Sequence, residues 1–443
     1  MGHYVPHTDE ELVSMLEFIG LDSLDQLFEC VPEALRLAQA DFAVAPGLSE
    51  FDTAAEMERL ARANRGSELI CFAGAGAYDH DISSMVRRIG MRTEFVTAYT
   101  PYQPEVAQGV LQALFEYQTM VARLTGLEIA NASLYDGATA TVEGVNLAVA
   151  ATGRSTVWLS DGLHRRWAEV VCTFAAGTGH RIETVPLSDG LTAWPEPGAE
   201  PPGAVVVQYP NRLGCLDDMT AAAKVARATG ALLVVAFDPV AAGVLKSPGE
   251  WGADVAVGEG QPFGTPMSFG GPYLGLFAAR LEHVRRVPGR IVGETVDLEG
   301  RRAYVTTLRT REQDIRREKA SSNVCTNQTL IAVHCALQMS WLGKSGLREL
   351  GRRCAQGTRY TRDALLSIDG IEPLVGAPVL REFAVKLPVA PELVIDRLAD
   401  EGFLAGVVTD DGAGTDGLLI SVTERRTRTE IDAFVATMEK AIR

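Results

Sequence analysis

From Ser155 to Arg280 the chain runs through six short apolar stretches rich in β-branched residues: STVWLS, RIETVPL, AVVVQYP, ALLVVAF, DVAVGE and YLGLFAAR. Helical stretches are interleaved with them, HRRWAEVVCTFAAG after the first and LDDMTAAAKVARATG after the third. Strands that are apolar along their whole length must be covered on both faces, and intervening helices supply that cover. The pattern predicts an α/β fold with a mainly parallel sheet. Sheets of this kind bind ligands beyond the carboxyl ends of their strands. Two helices precede the alternation. One is opened by Pro104 and closed by Gly126; the other is opened by Asp136 and closed by Gly153.

The flanks read differently. Residues 1–90 carry helix-start signals, Thr8-x-x-Glu11 and Ser23-x-x-Gln26 as capping boxes, Pro32 in a first turn, and Ser49 or Asp52 before EFDTAAEMERLARAN. They are expected to form a helical arm or layer. Residues 91–346 form the large α/β domain. Residues 347–443 change rhythm and are expected to form a small α+β domain.

With a net charge of −16, the chain repels phosphate backbones, which argues against nucleic acid as a partner. Every long apolar stretch is broken by charge or polarity; Gly230 to Leu245 contains Asp238 and Pro239, so no membrane span is expected. The acidic N-terminus lacks a secretory pattern. Seven widely spaced cysteines without a CxxC pair fit a reducing, cytoplasmic setting. Asp79-His80-Asp81 reads as a polar loop, and no metal site is expected, since successive residues cannot all face one ion.

Walker A, GxSxG and a complete dinucleotide fingerprint are all missing. A different pair stands at the sheet. Asp238 ends the ALLVVAF strand, and Gln261 follows the next strand 23 residues later. In one large class of pyridoxal phosphate enzymes an Asp at the first place pairs with the pyridine nitrogen, and a Lys at the second forms the imine. Here an amide occupies the lysine place and cannot form one. None of the six lysines (224, 246, 319, 344, 386 and 440) follows a strand as that chemistry requires. Asp238 taken alone also suits an Asp-Pro turn. Residues 301–319, RRAYVTTLRTREQDIRREK, carry a local charge of +4 and form either a solvated helix face or a docking patch for an acidic partner. The turn Tyr99-Thr100-Pro101-Tyr102-Gln103 either packs or presents hydroxyls to a site.

FAGAGAYDHDISSMVRR, the stretch from FVTAYTPYQPEVAQGV to SLYDGATA, QYPN, SPGEWGADVAVGEGQPFGTPMSFGGPYLGLFA, PGRIVGE and LRTREQDIRREKASSNVCTNQ together resemble glycine decarboxylase, the P-protein of the glycine cleavage system. The resemblance spans the whole chain and is densest between residues 70 and 330. It matches the N-terminal half, which many bacteria make as the first of two homologous chains. It implies a pyridoxal phosphate transferase fold of type I and an α2β2 assembly. In that assembly the partner subunit binds pyridoxal phosphate. It also implies that glycine is decarboxylated, CO2 is released, and the aminomethyl group passes to the lipoyl group of H-protein. The partner's pattern has His-Lys where this chain reads Gly260-Gln261. Asp238 and Gln261 then mark a degenerate cofactor site, and this chain completes its partner's. Tyr99, Thr100, Tyr102 and Gln103 are the residues expected to reach that shared site. Arg309, Arg311, Arg316, Arg317 and Lys319 are those expected to dock the lipoyl-bearing partner. The alternative is a catalytically silent structural or regulatory subunit of the same complex.

Overall fold

The computed structural model describes residues 6–36, 44–97, 100–308, 322 and 324–443. It divides into two compact units, Met1–Ser67 and Glu68–Arg443. The first is built from helices Asp9–Ile19 and Glu50–Ala63 with short 3-10 turns. Its start signals act as expected. Glu11 N–H donates to Thr8 Oγ1 and Thr8 N–H to Glu11 Oε2, closing a capping box, and Ser49 Oγ caps through Asp52 N–H. The Ser23–Gln26 box also forms, but the segment it opens, Leu24–Phe28, winds as a 3-10 helix.

The second unit carries a seven-stranded sheet. Its strands are β1 Ile129–Ala130, β2 Thr156–Ser160, β3 Arg181–Val185, β4 Ala204–Tyr209, β5 Leu232–Phe237, β6 Val255–Glu259 and β7 Gly275–Ala279. Their spatial order is β1-β7-β6-β5-β4-β2-β3. β3, β2, β4, β5 and β6 run parallel, while β7 pairs antiparallel with β6 and β1. The unbroken apolar runs follow from cover on both faces. Val205, Val207, Leu233 and Val235 enter one core with helices Gln108–Thr125 and Met219–Thr229. Ala204, Val206, Val234 and Ala236 enter the other with helix Gly137–Thr152. Each fully buried valine contributes on the order of 1.5–3 kcal/mol.

A smaller antiparallel sheet follows, ordered Glu372–Pro373, Glu382–Lys386, Asp416–Ser421, Val407–Asp410, and covered by helices Pro391–Asp400 and Arg428–Ala441. Its core includes Phe72, whose ring stacks on Phe434 at 4.0 Å. The strand Ile70–Cys71 pairs parallel with Phe403–Leu404, which ties the start of this unit to its end. The loop that follows Phe72 is thereby led across the carboxyl ends of the large sheet. Helix Thr329–Leu365 joins the two sheets and kinks at Gly343, whose φ of +59° few other residues tolerate.

Two local expectations need correction. Pro104 does not open the long α-helix. It opens a 3-10 turn, Pro104–Val106, and the α-helix starts at Gln108. The Gln108 side chain takes the Pro104 carbonyl at 2.7 Å and also holds Tyr304 O, so the two segments meet at a break at Ala107. Within the basic stretch, Arg302–Thr307 is a strand, paired with Ile291–Val296, rather than part of a helix face. Arg301 and Arg302 have local acidic partners in Asp297, Glu299 and Glu294.

Candidate functional site

Asp238 leaves β5 at its carboxyl end, where Pro239 prevents the strand from continuing. Its Oδ1 accepts the N–H groups of Val240 and Ala241, and its Oδ2 pairs with Arg381 at 2.6 Å. Arg381 arrives from the small sheet, immediately before its inner strand Glu382–Lys386. Its guanidinium lies 3.5 Å from the centre of the Tyr78 ring and donates to His80 Nε2 at 2.8 Å. A guanidinium can only donate, so His80 carries its proton on Nδ1 and passes it as a hydrogen bond to Glu424 at 2.7 Å. The Tyr78 hydroxyl bonds to Glu382, whose other oxygen accepts Ala75 N–H. Burial pushes both the Tyr78 hydroxyl and the Glu382 carboxyl up, while the His80 contact helps hold Glu424 low.

Gln261 is 1% exposed. Its amide oxygen accepts Tyr78 N–H at 3.1 Å, and its amide nitrogen donates to Tyr78 O at 3.1 Å and Thr265 O at 2.8 Å. The Gln261 side chain therefore clamps the 73–81 loop across the site. Gly74 makes this approach possible, since a Cβ there would lie 2.6 Å from Ser421 Cβ. On the other side, Glu259 closes β6. Its oxygens accept backbone N–H from Gln261, Leu274 and Gly137, each at 2.9 Å. Gly137 is the first residue of a 16-residue helix, the end that favours ligand oxygens. Trp167 roofs the same glycine, whose Cβ would meet the indole at 2.3 Å.

These residues do not fit pyridoxal phosphate. Among the described residues no lysine reaches the site, Asp238 already holds a cation, and Glu259 takes the helix N–H that a phosphate would use. The remaining cavity, lined by His164, Gln208, Asp238 and Glu382 among others, has about 50 Å³. That is room for a few waters at roughly 10–15 Å³ each. His80, Cys354 and Glu424 bring ligand atoms within 4.8 Å of one another. Both ring nitrogens of His80 are engaged, a guanidinium abuts it, and burial pushes the Cys354 thiol up to about 12. The trio is a hydrogen-bonded buttress, not a metal environment.

Burial likewise pushes the Glu259 carboxyl up to about 8, against the three N–H donors. The folded-state value lies above the ordinary one, so this group stabilises the fold at low pH, and the contribution fades as pH rises through about 8. Between about pH 5 and pH 8 the chain should lose stability, by at most about 1.4 kcal/mol per pH unit from this group, and the loss should level off above that. Glu259→Gln should remove that slope. It should also lower stability overall by about 1–3 kcal/mol, because an amide N–H then faces Gly137 N–H. Urea unfolding at several pH values checks this; equal slopes in both proteins would place the ionisation elsewhere.

The other sequence candidates fall in a second cluster. Tyr99 lies outside the described residues, as do Arg309, Arg311, Arg316, Arg317 and Lys319. Thr100 Oγ1 is buried with no hydrogen-bond partner among the described residues. Tyr102 is 45% exposed, and its hydroxyl accepts from Arg290 at 3.1 Å. Gln103 is exposed and precedes the 3-10 turn. Arg290 also donates to Asn327 Oδ1 at 2.9 Å. Arg290, Asn327, Arg381, Tyr78 and Glu259 escaped sequence reasoning. His80 was singled out only as part of a polar loop and is in fact buried.

The model of the "Glycine cleavage system P-protein" family matches residues 2–438. A relative from Desulforamulus reducens, "Probable glycine dehydrogenase (decarboxylating) subunit 1", is 46% identical over 98% of this chain and 99% of its own. A crystal structure of glycine decarboxylase (P-protein) of the glycine cleavage system, in inhibitor-bound form, superposes with a TM-score of 0.91. It is 43% identical and covers 99% of this chain and 100% of that one. At 13% identity, a sphingosine-1-phosphate lyase from Burkholderia pseudomallei still shares the fold, with a TM-score of 0.64 over 93% of this chain and 94% of its own. The architecture is the type I pyridoxal phosphate transferase fold.

Proposed function

The chain belongs to the glycine cleavage system P-protein family, and from that premise we propose that it is the first subunit of a two-chain glycine dehydrogenase (decarboxylating). In this reading the homologous partner subunit binds pyridoxal phosphate, in an α2β2 assembly. The two chains together decarboxylate glycine, release CO2 and transfer the aminomethyl group to the lipoyl group of H-protein. This chain contributes Tyr99, Thr100, Tyr102 and Gln103 to the shared site, where they position the substrate and keep water away from the reacting carbon.

One observation carries the reading. The chain's own cofactor-type site is closed by its own residues, whereas the Thr100–Gln103 turn is braced from behind by Arg290 and leaves Tyr102 half-exposed. A bracing network behind an exposed phenol suits presentation to another molecule, because little ordering remains to be done on binding.

The test is complementation. The chain and its partner, purified separately and then mixed, should catalyse glycine-dependent exchange of CO2, and neither should do so alone. Full activity of the partner alone would leave this chain only the structural or regulatory role. The same assay tests docking by Arg309, Arg311, Arg316, Arg317 and Lys319. Charge reversal at Arg309 or Arg311 should raise the apparent constant for H-protein more than that for glycine, in a salt-dependent way. Equal effects on both constants would instead mark this stretch as a solvated face.

A further inference from the structure

The side chains of Arg212, Arg290 and Arg381 are all at least nine-tenths buried. Arg212 pairs with Asp161 and Asp410, and Arg381 pairs with Asp238. Arg290, only 6% exposed, pairs with no carboxylate among the described residues. Its neighbours are neutral: Asn327 Oδ1 at 2.9 Å, Tyr102 Oη at 3.1 Å, and the Tyr102 ring 5.3 Å from the guanidinium. Two of its five N–H donors are used in this way. A buried cation without a counter-ion is costly, and natural sites keep one where an anion arrives from outside.

The surroundings hold this guanidinium in place. Asn327 donates its amide N–H to Ala132 O and Ser133 Oγ, which fixes its oxygen towards Arg290. Ser133 has a φ of +133°, a strained value for a residue with a side chain. Ala132 N–H donates to Arg290 O, so the arginine is anchored to the segment that runs from β1 towards helix Gly137–Thr152. In the turn that carries Tyr102, the Thr100 hydroxyl is sealed in without a partner among the described residues. A cation without a carboxylate partner among the described residues thus stands beside the turn that carries the Thr100 hydroxyl, beyond the carboxyl end of β1.

We propose that Arg290, oriented by Asn327 and Tyr102, is the receptor for a compact oxyanion that completes the shared site. The chemistry it recognises is a small carboxylate or a phosphate, taken side-on by the guanidinium fork. The inference rests on the shared-site reading for where that anion comes from. The cation itself belongs to this chain and can be tested without the partner.

Two readouts decide it. In the isolated chain, inorganic phosphate or acetate at millimolar concentration, compared with chloride at equal ionic strength, should raise the thermal midpoint. Arg290→Gln should abolish that rise. In the complex, Arg290→Lys should raise the KM for glycine at least tenfold if the anion is the substrate carboxylate. It should instead speed loss of pyridoxal phosphate at least tenfold if the anion is the cofactor phosphate. Movement of either readout in the variants supports the proposal. An anion response equal in wild type and Arg290→Gln, together with KM and cofactor retention within twofold, overturns it. If the variants do not assemble, the isolated-chain readout decides alone. A failed complementation assay with an intact anion response would sink the shared-site reading and leave the receptor standing.

Discussion

Arg381→Met should cost the chain about 3–5 kcal/mol of folding stability. The pair it breaks is buried at Arg381 and mostly covered at Asp238, and its removal strands the Asp238 carboxylate under the closing loop. The two N–H groups of Val240 and Ala241 still reach Asp238, so the loss stays short of a full uncompensated charge. Met fills much of the stem volume but offers no cation to the Tyr78 ring and no donor to His80. Asp238→Asn combined with Arg381→Met should recover part of the loss, since the double variant leaves no unpaired charge. The urea midpoint of the isolated chain measures this. A loss below about 1 kcal/mol, or a double variant no better than the single one, would show that the pair does not hold the two sheets together.

Tyr102→Phe should slow glycine-dependent CO2 exchange by the assembled complex about ten- to a hundredfold, the equivalent of roughly 1.5–3 kcal/mol for a lost hydrogen bond to a charged group. The ring stays, and with it the packing against Arg290. The hydroxyl accepts from Arg290, and the side chain stays half-exposed at the surface of the turn. Tyr99→Phe is expected to act in the same range. The assembly should remain intact by size-exclusion chromatography. If both variants assemble and turn over normally, the tyrosines are packing residues and this chain is the silent subunit.

The large sheet was legible in the sequence because both of its faces are buried, which makes whole strands apolar. Asp238 and Gln261 were legible for a related reason, since each interrupts such a run where a strand must end. The α-helix start at Gln108 was hidden because a side chain, not a residue-type preference, takes the Pro104 carbonyl. Arg381 left no local pattern. Its meaning comes from Tyr78 and His80, the latter 301 residues away in the chain, and from a loop that only the Ile70–Phe403 pairing carries over the sheet. Glu259 was one residue short of the motif that drew attention to Gln261, and its function as a plug depends on Gly137, 122 residues earlier. Arg290 stands among apolar residues in VPGRIV, and the lack of a carboxylate beside it among the described residues is visible only in three dimensions.

In the assembled enzyme the cofactor should be held by the partner, with this chain's own site closed. Borohydride reduction of the reconstituted complex with pyridoxal phosphate, followed by peptide mass spectrometry, tests it most directly. The stable adduct should fall on one lysine of the partner subunit. None of the lysines of this chain should be labelled stoichiometrically, and this should hold in the isolated chain and in its Gln261→Lys variant, where Glu259 and Arg381 still fill the site. A single fully labelled lysine in the wild-type chain, or glycine-dependent exchange of CO2 by this chain without its partner, would contradict the account.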